Sequence, residues 1–166
     1  MRTVRQSLWS IAGQAIGLLV YSVLAVATTW PLAGSLDQKL VVGTEVARTV
    51  PVFNAWTIWW NIDRASVGFS DYWDSPIFYP AGNTFAMSEP QTITAVLAPL
   101  SWLGFGIIAI SNLYLLISLV LNGWFAERLL RCMGSGGVIA IGAGSAMVLL
   151  PVLHWQIGVL QLVPLW

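Results

Sequence analysis

Charge is what this chain has least of. Its 166 residues include seven acids and seven lysines or arginines, 8% of the total, against about 25% in soluble domains. No charged residue lies between Arg5 and Asp37, and none between positions 90 and 126. A soluble core of this size has no use for so much apolar surface, which excludes an ordinary soluble domain. The formal net charge is zero and there is no basic run, which excludes a nucleic-acid surface. The single cysteine, Cys132, has no internal disulfide partner and no ligand set beside it, so it reads as filler.

What is present is apolar and aromatic: 57% hydrophobic residues and ten tryptophans, with a mean hydropathy of +0.77. Six of the seven acids (Asp37, Glu45, Asp63, Asp71, Asp74, Glu89) fall in one stretch between the apolar runs. A bilayer span needs roughly 20 apolar residues. The pattern predicts an all-α membrane protein, a single domain over residues 1–166, with about three transmembrane helices and a large first external loop that carries any chemistry.

The run from Ile11 to Thr29 is longer than the apolar core of a signal peptide and ends at Trp30, an interfacial anchor. It is therefore predicted as a retained first span, about 10–30. Arg2 and Arg5 precede it, so the positive-inside rule places the N-terminus in the cytoplasm and residues 31–90 outside. Arg128 and Arg131 are cytoplasmic if residues 91–130 cross once, which sets the second span at 108–130. Residues 91–106, interrupted by Pro99, are then an interfacial or re-entrant helix of about 24 Å at 1.5 Å per residue. After a turn at Ser135-Gly136-Gly137, a third span over 138–153 is rich in Ala140, Gly142, Ala143, Gly144, Ser145 and Ala146, which suits close helix packing. Three spans enclose little, so the chain reads as part of a larger bundle.

Inside the loop, Trp30-Pro31 stops the first helix. A second helix is predicted from Thr49, as N-cap with Pro51 in the first turn, to Arg64. On helical spacing Asn54, Thr57, Asn61 and Arg64 share one face, and Val52, Trp56, Trp59 and Trp60 share another. Amides on one side and tryptophans on the other predict a helix lying at the membrane surface, and a helix packed on the protein's own spans accounts for the pattern equally well without excluding this. The stretch from Ser70 to Asn83 lacks a helical period, and its aromatics and prolines predict an ordered loop whose Asp71 and Asp74 cap turns.

The order Thr29-Trp30-Pro31-Leu32, Asn54-Ala55-Trp56 with Trp59-Trp60, Ile77-Phe78-Tyr79-Pro80-Ala81-Gly82-Asn83-Thr84, Ser88-Glu89, and Asn112-Leu113-Tyr114-Leu115-Leu116 with Gly123 resembles the N-terminal part of bacterial membrane proteins of the GT-C glycosyltransferase superfamily. The resemblance runs from about residue 20 to the C-terminus, and such proteins continue for several hundred residues. It implies the bacterial inner membrane, transfer of a sugar from a polyprenyl-phosphate donor to an extracytoplasmic acceptor, and a loop carboxylate as general base. Related sequences carry an Asp before the proline leading into the Asn-x-Trp helix, where this chain has Val50, and a Gly-His-Leu-Gln element where it has Gly158-Val159-Leu160-Gln161.

Glu89 and Glu45 are therefore the candidate bases, since an acceptor hydroxyl must lose its proton as the anomeric centre becomes cation-like. Asn54, Trp56, Asn61 and His154 are the candidate substrate-binding residues. No metal-ligand spacing is present, and a divalent metal, if used, would fall to Glu45 and Glu89. Expected partners are the lipid-linked sugar, membrane lipids and other membrane subunits. The competing reading is a non-catalytic membrane subunit or truncated relative that binds a lipid carrier or packs with other membrane helices.

Overall fold

Proline and glycine set where the helices stop. The computed structural model describes residues 2–44 and 48–165, and among them every regular element is helical. Helix α1 (Arg2–Thr28) ends just ahead of Pro31, which can donate no backbone hydrogen bond. Helix α2 (Val50–Ser66) starts with Pro51 in its first turn, as expected, although the Thr49 side chain makes no capping hydrogen bond. The expected re-entrant stretch divides in two: a 3-10 segment Thr92–Leu97 leads into a short helix α3 (Ala98–Trp102) with Pro99 at its start. The chain then reverses at Gly104, whose φ of +91° suits glycine. Helix α4 (Ile107–Cys132) is followed by α5 (Gly137–Val148) and α6 (Pro151–Trp155), which divide at Pro151 with Leu150 extended before it.

Two helical units are long and apolar enough to cross a membrane, Ile107–Cys132 and Gly137–Trp155, with mean hydropathies of 1.8 and 1.9. They coincide with the spans expected at 108–130 and 138–153. Within α1 the apolar stretch Gly13–Thr28 is shorter, as is Thr92–Trp102.

The core forms where α1, α2, α4 and Gly137–Trp155 meet, around Tyr21, Ile58, Leu115, Leu119 and Val148. Its tightest point is a notch for Tyr21. A Cβ on Gly123 would lie 2.9 Å from Tyr21 Cγ and 3.0 Å from the Gly144 carbonyl oxygen; one on Gly144 would lie 2.5 Å from the Gly123 carbonyl oxygen. Ala140, Gly144 and Val148, spaced four apart, are the buried stripe of α5, whereas Gly142 faces open space. Small residues here let two backbones close on one tyrosine ring. Gly144→Ala is expected to cost about 1–3 kcal/mol, since backbone cannot yield to the added methyl. Gly142→Ala is expected to be neutral, and thermal unfolding of the two variants in detergent checks the contrast.

Four buried asparagines fasten the irregular segments to the helices. Asn112 Nδ2 on α4 donates to the carbonyls of Leu36 (2.8 Å) and Lys39 (2.7 Å). Asn122 Nδ2 donates to the Val163 carbonyl at 2.7 Å, and its Oδ1 accepts from the Leu165 amide at 2.8 Å. Asn54 and Asn61 on α2 do the same for other stretches. Buried backbone outside regular structure needs such partners, and a side-chain amide supplies both a donor and an acceptor.

Candidate functional site

The polar loop returns to the helices at Ser88-Glu89-Pro90-Gln91, and there the polar side chains of several elements converge. Glu89 is exposed. Its Oε2 accepts a hydrogen bond from Gln161 Nε2, which comes from the 3-10 segment Leu160–Leu162. Gln91 sits at φ 44°, a left-handed conformation that non-glycine residues seldom adopt. Three bonds keep it there. Gln91 Nε2 donates to Asn54 Oδ1 at 2.9 Å, its carbonyl accepts from Asn61 Nδ2 at 3.0 Å, and the same carbonyl accepts from the Thr94 amide at 2.9 Å. The side-chain oxygens of Gln91 and Gln161, and Thr57 Oγ1 on α2, are buried and accept or donate no hydrogen bond. The rim of the protein thus presents one carboxylate over a bed of carboxamides.

The amide face of α2 turns inward, as in a helix packed on the protein's own helices. Asn54, Thr57 and Asn61 are fully buried, so this face is turned to the protein. Asn61 Nδ2 also donates to the Pro90 carbonyl (2.7 Å) and to Thr94 Oγ1 (2.8 Å), while its Oδ1 accepts from the Tyr72 hydroxyl (2.7 Å). Asn54 Nδ2 reaches the Gly158 carbonyl at 3.4 Å. The physical reason is that the loop backbone needs these donors more than the solvent does.

The tryptophan face splits. Trp60 is buried, its Nε1 donating to the Tyr72 carbonyl at 3.0 Å and its ring lying 4.7 Å beneath the Arg64 guanidinium. Trp59 is exposed. Trp56 stands between them, half-buried, stacked on Phe53 and Trp60 at 5.7 and 6.1 Å with Phe85 edge-on. Together with Val52, Phe53, Ile77 and Arg48 it lines an apolar groove of about 430 Å³.

His154 turns inward, its Nε2 2.8 Å from the Val148 carbonyl at the end of α5. Glu45 lies outside the described residues. Among the described residues no group of three His, Cys, Asp or Glu side chains is placed to hold a metal ion. Asp74 ties the two ends of a loop together, its Oδ1 accepting from the Asn83 amide nine positions on at 2.7 Å.

Two features escape the sequence pattern. One is Glu127, the seventh acid, 1% exposed inside α4. It accepts from the Tyr21 hydroxyl at 2.7 Å and from Arg131 Nε at 2.6 Å, with Arg131 Nη2 also at 2.6 Å. Its i,i+4 spacing to Arg131 in an otherwise apolar helix is the signal that marks it. The other is Tyr72, 7% exposed, whose hydroxyl bridges Asn61 and Thr92 Oγ1 (2.8 Å). Burial pushes this hydroxyl above its ordinary range, against a lowering contribution from Thr92, so at neutral pH it stays a donor to Asn61.

The chain matches no family, no curated protein and no solved structure.

Proposed function

We propose that this chain is a multi-pass membrane protein of glycosyltransferase type, which transfers a sugar from a polyprenyl-phosphate donor to an extracytoplasmic acceptor with Glu89 as the general base. The observation that carries the reading is the exposed carboxylate of Glu89, held by Gln161 where the loop meets the helices. In the reaction the acceptor oxygen bonds to the anomeric carbon, the bond from that carbon to the donor phosphate oxygen breaks, and the hydroxyl proton passes to the Glu89 carboxylate. The groove along Trp56, Phe53 and Ile77 takes the start of the polyprenyl chain, and Arg48 at the groove offsets the phosphate charge.

Support for the membrane part comes from exposure. The apolar window of Gly137–Trp155 is 22% buried in protein, and Val138 and Ile139 on it stand exposed. Apolar surface of this kind is at home against lipid. The apolar run of α1 makes a third span, with the N-terminus on the cytoplasmic side of the inner membrane and residues 31–90 outside. In a Cys132→Ser background, cysteines at Ser70 and Ser135 are expected to label oppositely with an impermeant thiol reagent in intact cells, Ser70→Cys reactive and Ser135→Cys protected. Equal labelling would sink this topology.

The functional test is Glu89→Gln assayed for transfer from a polyprenyl-phosphate sugar, with thermal stability measured alongside; activity is expected to collapse while stability holds. The second reading, a non-catalytic subunit that binds a lipid carrier or packs with other membrane helices, is favoured by the engagement of Asn54 and Asn61 in holding the chain. A parent without transfer activity that still binds the lipid carrier would favour it.

A further inference from the structure

Between α2 and the Thr92–Leu97 segment the chain folds back on itself around a second cavity, separate from the groove at Trp56. Asp74 Oδ1 takes the Asn83 amide at 2.7 Å, and the Phe85 amide bonds to the Trp73 carbonyl at 3.1 Å. These ties border an open cleft of about 420 Å³ whose lining includes Phe69, Asp71, Trp73, Asp74 and Asn83. The buried ring of Tyr72 forms its mount. Phe69 and Trp73 pack edge-on against that ring at 5.4 and 4.8 Å, and their other sides are exposed, 42% and 45%. Tyr72 cannot swing, because its hydroxyl is shared between Asn61 and Thr92 and its carbonyl accepts from Trp60.

Exposed aromatic surface on a fixed mount is costly in water and useful to a ligand with an apolar face. The polar groups define the rest of that ligand. One oxygen of Asp71 takes the Ser70 hydroxyl and one of Asp74 takes the Asn83 amide, leaving the second oxygen of each carboxylate as an acceptor. Among the described residues no lysine or arginine lines the cleft, and the nearby Arg64 is turned to the Ser70 carbonyl and Asp63. It therefore rejects anions such as phosphate, sulfate or a uronate. A pyranose without negative charge meets all these terms, with C–H faces for the rings and hydroxyl donors for the carboxylates.

We propose that this cleft binds a neutral carbohydrate, one pyranose ring lying against Trp73 or Phe69 with its hydroxyls donating to Asp71 and Asp74. The site stands on the cleft alone and does not rest on the transfer reaction.

The test uses the full chain in nanodiscs and saturation-transfer difference NMR with maltotriose, mannotriose and chitotriose, and with trigalacturonate as the anionic counterpart. Saturation is expected to reach the ring protons of at least one neutral trisaccharide and none of trigalacturonate. Asp71→Asn, an exposed and nearly isosteric change, and Trp73→Ala are each expected to weaken binding about tenfold, the scale of one charge-assisted hydrogen bond or one ring contact. Glu89→Gln is expected to bind like the parent, so failure of the carbohydrate site and failure of the transfer reading give different results. No saturation passing from a protein of parental unfolding temperature to any neutral probe, undiminished saturation of the probe in both cleft variants, or saturation reaching trigalacturonate would each overturn the proposal.

Discussion

Glu127→Ala is expected to destabilise the protein by about 3–5 kcal/mol, the range for breaking one partner out of a buried ion pair. The carboxylate is 1% exposed and the Arg131 side chain 29%, so solvent screens little of the pair at its acidic end. Removing the acid leaves the Tyr21 hydroxyl without its acceptor in the notch between α4 and α5, and leaves a guanidinium facing a seam that held its counter-charge. Both losses act on the same three-helix contact. The measurement is thermal or denaturant unfolding in detergent. The double variant Glu127→Ala/Arg131→Ala is expected to recover part of the loss, because it removes the uncompensated charge. A single variant as stable as the parent would mean that the pair contributes nothing to the seam.

Glu89→Gln is expected to slow sugar transfer by a factor of about 100 to 10,000, the usual contribution of a positioned general base. The amide keeps the size of the carboxylate and still offers an oxygen to Gln161 Nε2, so the local hydrogen bond survives. What it loses is the ability to take a proton. Because Glu89 is exposed, the unfolding temperature is expected to stay at the parental value. Measuring rate and stability on the same preparation separates these effects. Parental activity would remove Glu89 from the reaction.

The long apolar helices were legible because hydrophobic runs of spanning length have few alternatives, and the expected limits at 108–130 and 138–153 lie close to Ile107–Cys132 and Gly137–Trp155. Pro51 marks a helix start as expected, whereas Pro99 and Pro151 also begin helices, at places the expected stretches 91–106 and 138–153 ran through. The orientation of α2 was not legible. Periodicity separates Asn54, Thr57 and Asn61 from the tryptophans correctly, but it carries no information on which face turns inward. The usual rule sends polar groups to solvent. Here the irregular stretches around Gln91 and Gly158 need donors, and the buried amides supply them. Asn112 and Asn122, standing in an apolar helix where no solvent-facing role suggests itself, carry the same signal. Trp60 is a similar case, since its indole N–H belongs to the Tyr72 carbonyl and not to an interface. Glu127 was hidden by its position at the edge of an uncharged run, where an acid reads as a boundary of the span.

The asparagine ties also impose an order on synthesis. Asn61 reaches a carbonyl 29 positions later in the chain and Asn122 one 41 positions later, while Asn54 must wait for Gly158, 104 positions on. A ribosome therefore releases α2 long before the last acceptor for its buried face exists, and closure of so long a loop carries a large entropic barrier. Until Gly158 to Val163 emerge, the side-chain N–H groups of Asn54 and Asn122 have no acceptor. That interval is when a chaperone or a wrong strand of backbone has its best opportunity to bind them.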